Sequence, residues 1–376
     1  MGFRTVAIGV GGGPEAAAEY ADARFPIDTS DREDVLALAK RENAAGIVTC
    51  GTSTAVCTAA DVTERLGLSR FVPPYRTAVE AVFKDRWRRT AGDLAPRGLS
   101  CTDAADGFAR SRELTPPLVL KPADGGGGKG VRIVRQPGER VFTAAFDNAR
   151  RRSRCGVVVV EEYITGAVVG VESLVLDGKP HVFAIVDKLM TPPPRCITLG
   201  VVFPSHLPQD VRRRILRVNE ELLARLDIRW GPTHIDMVVD AKGCPKVVDV
   251  GPRLAGGPIM SRLVPKAYGY DVYRAVIMLA TGSVPEPPGS PDGRFYGSRF
   301  MLPPQPGRLI NIGFSADDIR RYRIEDVRQL IPDGTALTGI EDDGARVMMF
   351  TSRADTYRRV AENLDRFSRA VEIEMD

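Results

Sequence analysis

The chain has little excess of either charge: 52 Lys and Arg stand against 48 Asp and Glu, a formal net charge of +4 over 376 residues. So small a balance argues against a nucleic-acid or membrane-surface footprint. "RRRSR" at 150–154 is locally basic and reads as the solvated end of a helix. No uninterrupted apolar run approaches the ~18 residues that a membrane helix requires. The six cysteines, at 50, 57, 101, 155, 196 and 244, are scattered without CxxC spacing, and the chain opens on the strand-like "RTVAIGV" rather than on a charged leader. The expectation is a cytoplasmic, reduced protein. There is no internal repeat. What remains is ordinary globular composition, 43% hydrophobic and 27% charged, with length enough for two or three domains and a sizeable core.

Residues 1 to about 75 alternate short apolar runs ("TVAIGV", "RFPID", "GIVTC") with helical patterns ("PEAAAEYAD", "DREDVLALAKREN", "STAVCTAADVTERLGL"). This alternation predicts βαβ units and a small parallel sheet. After "FVPPY", the stretch "RTAVEAVFKDRWRRTAG" predicts one helix ending at its glycine. From residue 118 strands dominate: "LVLK" and "VRIV" flank a glycine loop, and "VVVVEEYI", "VGVESLVL" and "HVFAIVDK" follow, the last two joined by a turn at 177–179. "QDVRRRILRVNEELLARL" places Val211, Ile215, Val218, Leu222 and Leu226 on one stripe and predicts an amphipathic helix. "EPPGSPDG" at 286–293 reads as a boundary. Beyond it, "RFML", "RLINIG", "RVMMFTS" and the helical "DTYRRVAENLDRFSRA" predict a small mixed module. The expected class is α/β and α+β, with a parallel-sheet domain over 1–78, a central domain over 79–288 holding a lid of about 118–187, and a module over 289–376.

"VLKPADGGGGKGVRIV" (119–134) holds five glycines within six residues, at 125–128 and 130. Each glycine disfavours order by about 0.5–1 kcal/mol relative to alanine, which weighs against a merely structural turn. A Walker loop requires Ser or Thr after Gly-Lys and then a helix. Here Gly128 and Lys129 are followed by Gly130 and a strand pattern, so that reading fails. A dinucleotide fingerprint also requires a helix after the loop. What remains is a flexible hairpin tip, Gly125, Gly126, Gly127 and Gly128, whose bare amides fold over a polyphosphate with Lys121 beneath as a point charge. The alternative is a surface hairpin with a mobile tip. "GVGGG" at 9–13 is a weaker signal, because Pro14 stands where the third glycine of GxGxxG belongs; it reads as a structural turn, or as a site for a second substrate at the sheet's carboxyl edge.

"THIDMVVDAKGCPKVVDVGPRLAGG" predicts a hairpin with a turn over Ala241–Cys244, pairing Asp240 with Pro245 and hence Asp236 with Asp249. Opposed carboxylates about 4.5–5.5 Å apart at Cβ are destabilising, and a divalent cation removes the conflict. Magnesium takes one or two carboxylates plus substrate phosphates. The period of two sets His234, Asp236, Asp249 and Arg253 on one face, and Ile235, Met237, Val239, Val248 and Val250 on the other. Two solvent-facing aspartates with no metal are the alternative.

Lys84 in "FKDRW", Lys121 before the glycine loop, "VVVVEEYITG" and the "VVDVGPR" spacing together resemble the ATP-grasp superfamily, in its branch of carboxylate–amine ligases and biotin-carboxylase-like enzymes. The resemblance covers nearly the whole chain, with the first and last regions as the family's flanking domains. It implies that Lys84 and Lys121 contact the phosphates of ATP, that Gly125–Gly128 cap them, and that Glu161, Glu162, Tyr163 and Ile164 form the hinge against adenine, Glu161 accepting from the amino group. It implies Mg2+ on Asp236 and Asp249, Arg253 on the substrate carboxylate and its acyl phosphate, and Lys188 near the transferred phosphate. Three positions depart from the family pattern: Asp249 replaces the usual Glu, Gly251 the usual Asn, and Val168 and Val169 an acidic ribose contact, for which Glu172 is the nearest substitute.

The resemblance implies an ATP-dependent ligase that joins a small-molecule carboxylate to an amine through an acyl phosphate, the glycine loop closing to exclude water. The acid is expected to be an amino acid or similar, and a homodimer is a further expectation. A bicarbonate-using carboxylase ranks second, an ATP-binding regulatory protein without turnover third, and an NAD-dependent dehydrogenase last.

Overall fold

The computed structural model describes residues 2–9 and 20–376. Strands β1 (Val6–Ile8) and β2 (Ala23–Phe25) pair in parallel, and helices α1 (Arg32–Arg41) and α2 (Thr54–Leu66) pack on them through Val35, Leu36, Ala39 and Val62. Asp31 starts α1 by accepting from the amides of Glu33 and Asp34, the usual satisfaction of orphan donors at a helix start. The third apolar run, "GIVTC", makes no ladder with β1 or β2. Cys50 instead forms one parallel bridge to Leu254, tying this region to the chain beyond the acidic hairpin. Residues 10–13 of the "GVGGG" turn and most of "PEAAAEYAD" lie outside the described residues.

The single helix expected over 76–92 is two: α3 (Tyr75–Val82) and α4 (Lys84–Ala91). Phe83 between them is extended, at φ −84° and ψ 118°. The Lys84 amide donates to Ala123 O at 2.8 Å, so a tertiary contact replaces a helical one and fixes Lys84 against the end of a strand.

Strands β3 (Gly98–Cys101), β4 (Leu118–Pro122), β5 (Arg132–Val134) and β6 (Val158–Glu162) form an antiparallel sheet in the order β3-β6-β4-β5. Helices α5 (Ala104–Ser111) and α6 (Glu139–Arg150) cover one face, burying Leu118, Leu120, Phe142, Phe146, Val158 and Val160. Alternation along β4 and β6 then turns Lys121 and Glu161 to the other face. This four-stranded unit runs over 98–162, not about 118–187. The strands that follow, β7 (Ala167–Leu176) and β8 (Lys179–Met190), pair with each other around a turn with Asp177 and Gly178 at positive φ, and belong to a second sheet.

That second sheet has eight strands in the order β11-β10-β7-β8-β9-β12-β16-β14. Its early members are β9 (Thr198–Phe203), not anticipated from the sequence, and the hairpin β10 (Gly231–Val239) and β11 (Pro245–Gly251). Helix α7 (Gln209–Arg225) lies on one face, with Val211, Ile215 and Leu222 against Val169, Val171, Ile235, Met237, Val247 and Val250. Helices α8 (Val264–Tyr268) and α9 (Val272–Ala280) pack with Phe183, Val186, Val201 and Phe203. Past the 286–293 boundary come β12 (Phe295–Met301), β13 (Gly307–Gly313), α10 (Ala316–Arg321), β14 (Ile324–Gln329), β15 (Ala336–Leu337), β16 (Met348–Ala354), α11 (Tyr357–Ala370) and β17 (Glu372–Met375). β13, β15 and β17 form a small sheet of their own. β12, β16 and β14 instead extend the eight-stranded sheet, so the last region is not a separate layer. The class is the expected one, parallel strands first and large antiparallel sheets after. Among the described residues, no helix is long and apolar enough to cross a membrane.

Candidate functional site

A cleft of about 730 Å3 separates the four-stranded sheet from the eight-stranded one, within the size range of small-molecule sites. It brings together Lys84, Lys121, Gly125–Gly128, Glu161, Glu162, Tyr163, Ile164, Lys188, Asp236, Asp249 and Arg253. Glu172, also given a nucleotide role by the sequence resemblance, stays outside its lining.

Two lysine–aspartate pairs form the floor. Lys84 Nζ lies 3.0 Å from Asp249 Oδ1 and donates to Gly125 O at 2.6 Å, linking the acidic hairpin to the glycine loop. Lys188 Nζ lies 2.5 Å from Asp236 Oδ1. Asp236 and Asp249 are cross-strand partners, as expected, but by a different route. Near the turn the register runs Val239 to Pro245 and Met237 to Val247, and it shifts by one between Met237 and Asp236. The extra residue is Val248, the signature of a β-bulge. Val248 therefore does not join the apolar face. It lines the cleft, Val247 takes its place in the core, and the Val248 carbonyl accepts from Lys121 Nζ at 2.8 Å.

Lys121, buried at 5% exposure, also donates to Glu161 Oε1 at 2.5 Å, and Arg88 pairs with the other oxygen, Glu161 Oε2. Both oxygens of Glu161 are thus engaged by cations, and the carboxylate anchors the Lys121 ammonium. Burial holds the Lys121 ammonium below the usual lysine pKa, with Glu161 opposing the fall and Arg88 and Lys84 adding to it. The triad of two cations and one anion leaves one excess positive charge beside the cleft. At the end of β6, Glu162 Oε1 accepts from the Thr115 amide at 2.9 Å, and the Tyr163 amide donates to Pro117 O at 2.8 Å.

Glu172 is fully buried and pairs with His234, Nδ1 to Oε1 at 2.6 Å, while His234 Nε2 sits 3.2 Å from Asp236 Oδ1. Strand register sets it beside His234. Burial acts against a charged His234 ring, but the Glu172 and Asp236 carboxylates outweigh it and hold the pKa up at about 9. Burial opposes the charge on Asp236 too, and Lys188 and His234 overcome it, keeping the carboxyl well below the usual range.

Two glycines make room for these side chains. A Cβ at Gly170, the register partner of Asp236, would lie 3.2 Å from Lys188 Cε and 3.4 Å from Asp236 Oδ1. A Cβ at Gly251 would meet the Arg253 guanidinium at 3.1–3.3 Å. The missing Asn side chain and the inward fold of Arg253 are therefore one feature. Arg253 is buried, donates from Nη1 to Leu254 O at 3.1 Å, and leaves Nε without a partner among the described residues.

The donor set suits a cation that needs few protein ligands. Oδ1 of each aspartate is paired, and Oδ2 of each has no protein hydrogen bond among the described residues. Among the described residues, no group of three His, Cys, Asp or Glu is placed to hold a metal ion. A hard cation here would take two carboxylates from the chain and its other ligands from substrate and water, the habit of magnesium.

The sequence reasoning missed several lining residues. Gly51–Thr54 come from the first region, held there by the Cys50–Leu254 bridge, and Phe300, Asp343, Gly344 and Arg346 come from the last. No local motif marks them; topology alone brings them in.

Residues 114–261 match the family model described as the ATP-grasp domain. An uncharacterized protein, y4rH, of Sinorhizobium fredii is 32% identical over 194 residues, 51% of this chain. The match spans 39% of that relative's length. Among solved structures, L-amino acid ligase from Bacillus licheniformis superimposes with a TM-score of 0.81 at 18% identity, covering 100% of this chain and 99% of that one. The biotin carboxylase domain of Hydrogenobacter thermophilus 2-oxoglutarate carboxylase, solved with MgADP and bicarbonate, gives 0.73 at 17% identity, covering 100% and 86%. The segment 114–261, which holds the glycine loop, Lys121, Lys188, Asp236 and Asp249, thus matches the ATP-grasp domain, and the chain shares its fold end to end with the amino acid ligase.

Proposed function

We propose that the protein is an ATP- and magnesium-dependent ligase that activates a small-molecule carboxylate as an acyl phosphate and joins it to an amine. The observation that carries this reading is the pair of lysine–aspartate contacts on the cleft floor, Lys84 with Asp249 and Lys188 with Asp236, facing a five-glycine hairpin. Lys84 and Lys121 would bind the triphosphate, and Gly125–Gly128 would cover it. Glu162, Tyr163 and Ile164 would border the adenine, with Glu161 orienting Lys121. Asp236 and Asp249 would hold magnesium, which when bound neutralises charge on the phosphoryl group being transferred. Arg253 would orient the acid so that a carboxylate oxygen attacks the γ-phosphorus as the bond to ADP breaks, and Lys188 would stabilise charge on the moving group. The amine then attacks the acyl carbon, and phosphate leaves with the bonding electrons. Closure of the hairpin keeps water from the acyl phosphate.

The test is phosphate release from ATP and MgCl2 in the presence of paired acids and amines, amino acids foremost. One acid–amine pair should stimulate release, and Asp249→Asn should lower the stimulated rate by about 100-fold or more, the scale of losing a major electrostatic contributor. Bicarbonate is included because the Hydrogenobacter neighbour carries it; stimulation by bicarbonate alone would move the assignment to a carboxylase. ATP binding without stimulation by any pair would instead make this a regulatory nucleotide-binding protein.

A further inference from the structure

The glycine hairpin is poorly held by its own strands. The ladder between β4 and β5 ends at Leu120 and Arg132, and beyond it the tip has only the bonds from the Lys129 amide to Gly126 O at 3.3 Å and from the Val131 amide to Gly128 O at 3.2 Å, besides contacts from elsewhere. Lys84 holds it at Gly125 O. Asp124 at its start accepts from Ser153 Oγ and from the Arg154 and Cys155 amides, and the glycines themselves are held from the far end of the chain, where the Asp343 amide donates to Gly127 O at 3.2 Å. Arg132, at the base of the hairpin, pairs with Glu341 in the same C-terminal loop.

Asp343 is itself fixed. Its Oδ1 accepts from the Thr198 amide at 3.3 Å and lies 2.7 Å from Arg346 Nη2. Arg346 donates to Thr198 O from Nε at 3.0 Å and from Nη2 at 2.7 Å, and its guanidinium stacks over the Phe300 ring at 4.1 Å. The planar fork, stacked on an aromatic face, is held in one orientation. The start of β9, the end of β12 and the loop before β16 thereby form a rigid seat beneath the hairpin tip. Gly127 is at φ +63°, the left-handed region, and a Cβ there would lie 3.7 Å from Asp343 Cβ.

We infer that Asp343 and Arg346 are positioning residues that seat the closed glycine hairpin, so that closure over the nucleotide depends on the C-terminal region. The inference rests on the proposed reading of the hairpin as the triphosphate cover, but its first test does not. Lys129, exposed at the tip, is a trypsin site that opens with the hairpin. Lys242, exposed in the turn between β10 and β11, is an internal control.

Cleavage of the full chain without nucleotide is followed at both sites by mass spectrometry. Arg346→Ala should speed cleavage after Lys129 about tenfold, because cleavage tracks the population of the open form, and leave Lys242 unchanged. Arg346→Lys should restore part of the protection. Equal acceleration at both sites, or none at Lys129, overturns the inference. If Arg346→Ala does not fold, Glu341→Gln, which removes only the exposed partner of Arg132, should still speed Lys129 cleavage by about twofold, and an unchanged rate is again fatal to the seat. MgADP titration by calorimetry is the second arm. A wild type that fails to bind MgADP defeats the ATP reading while the cleavage result still decides the seat; wild-type binding that Arg346→Ala leaves untouched would show that the seat does not serve the nucleotide.

Discussion

At the scale of single residues, opposed charges at this site were readable and their partners were not. Asp236 and Asp249 were placed opposite one another because alternation and a short turn leave few registers, and the pair survives a bulge at Val248 that the sequence does not announce. Glu161 shows the limit. As a carboxylate at a strand end it invites a role toward a ligand, yet in the fold it meets Arg88 from α4 and Lys121 from β4, and no local pattern joins those three segments. The consequence is measurable. Glu161→Gln leaves Lys121 and Arg88 buried side by side without their anion, and breaking a buried pair in this way costs about 3–5 kcal/mol. Urea unfolding should show a loss of that order. A Gln variant as stable as the wild type, with only its nucleotide affinity changed, would return Glu161 to the adenine role.

At the scale of elements, long periodic segments were legible and short or bent ones were not. The stripe of α7 and the β7–β8 hairpin with its Asp-Gly turn stand where periodicity and turn chemistry place them. The α3–α4 break at Phe83 was missed because both halves share helical composition, and what separates them is the bond from the Lys84 amide to Ala123 O. Strand β9 was missed because it follows a proline-rich loop, across which it pairs with β8, and its other partner, β12, is distant in sequence. The glycine hairpin was legible as a loop between two strands but not position by position. Gly126 has open space where a Cβ would go, whereas Gly128 sits at φ +74° with its Cβ site 2.9 Å from Cys196 O. A left-handed conformation costs a non-glycine residue about 1–2 kcal/mol, and the clash adds to it. Gly126→Ala should therefore leave stimulated phosphate release within about twofold of wild type, and Gly128→Ala should reduce it by tenfold or more. Equal losses in the two variants would show that the loop needs looseness everywhere rather than a particular path.

At the scale of the whole molecule, the cleft is assembled from all three regions, which is why motif reading recovered its central residues and not its walls. The break at 286–293 reads as a domain boundary, and the backbone there is irregular, yet hydrogen bonding passes across it. β12 pairs with β9 from Tyr296–Phe203 to Arg299–Gly200, Phe203 stacks on Tyr296 with ring centroids 5.7 Å apart, and Tyr296 shares one core with Phe183, Val201, Leu263 and Val272. Cutting the chain at 288 would remove one of the two partners of β9, expose an unpaired apolar edge, open the core around Tyr296, and remove Phe300, Asp343 and Arg346 from the cleft. A fragment of residues 1–288 should consequently aggregate or bind a hydrophobic dye, with no cooperative thermal transition. An independently folding 289–376 module would give the opposite result, a soluble 1–288 fragment that unfolds cooperatively and binds nucleotide. Circular dichroism melting of the fragment beside the full chain distinguishes the two outcomes. Adding 289–376 in trans and recovering the transition would show in addition that the β9–β12 seam alone is enough to complete the sheet.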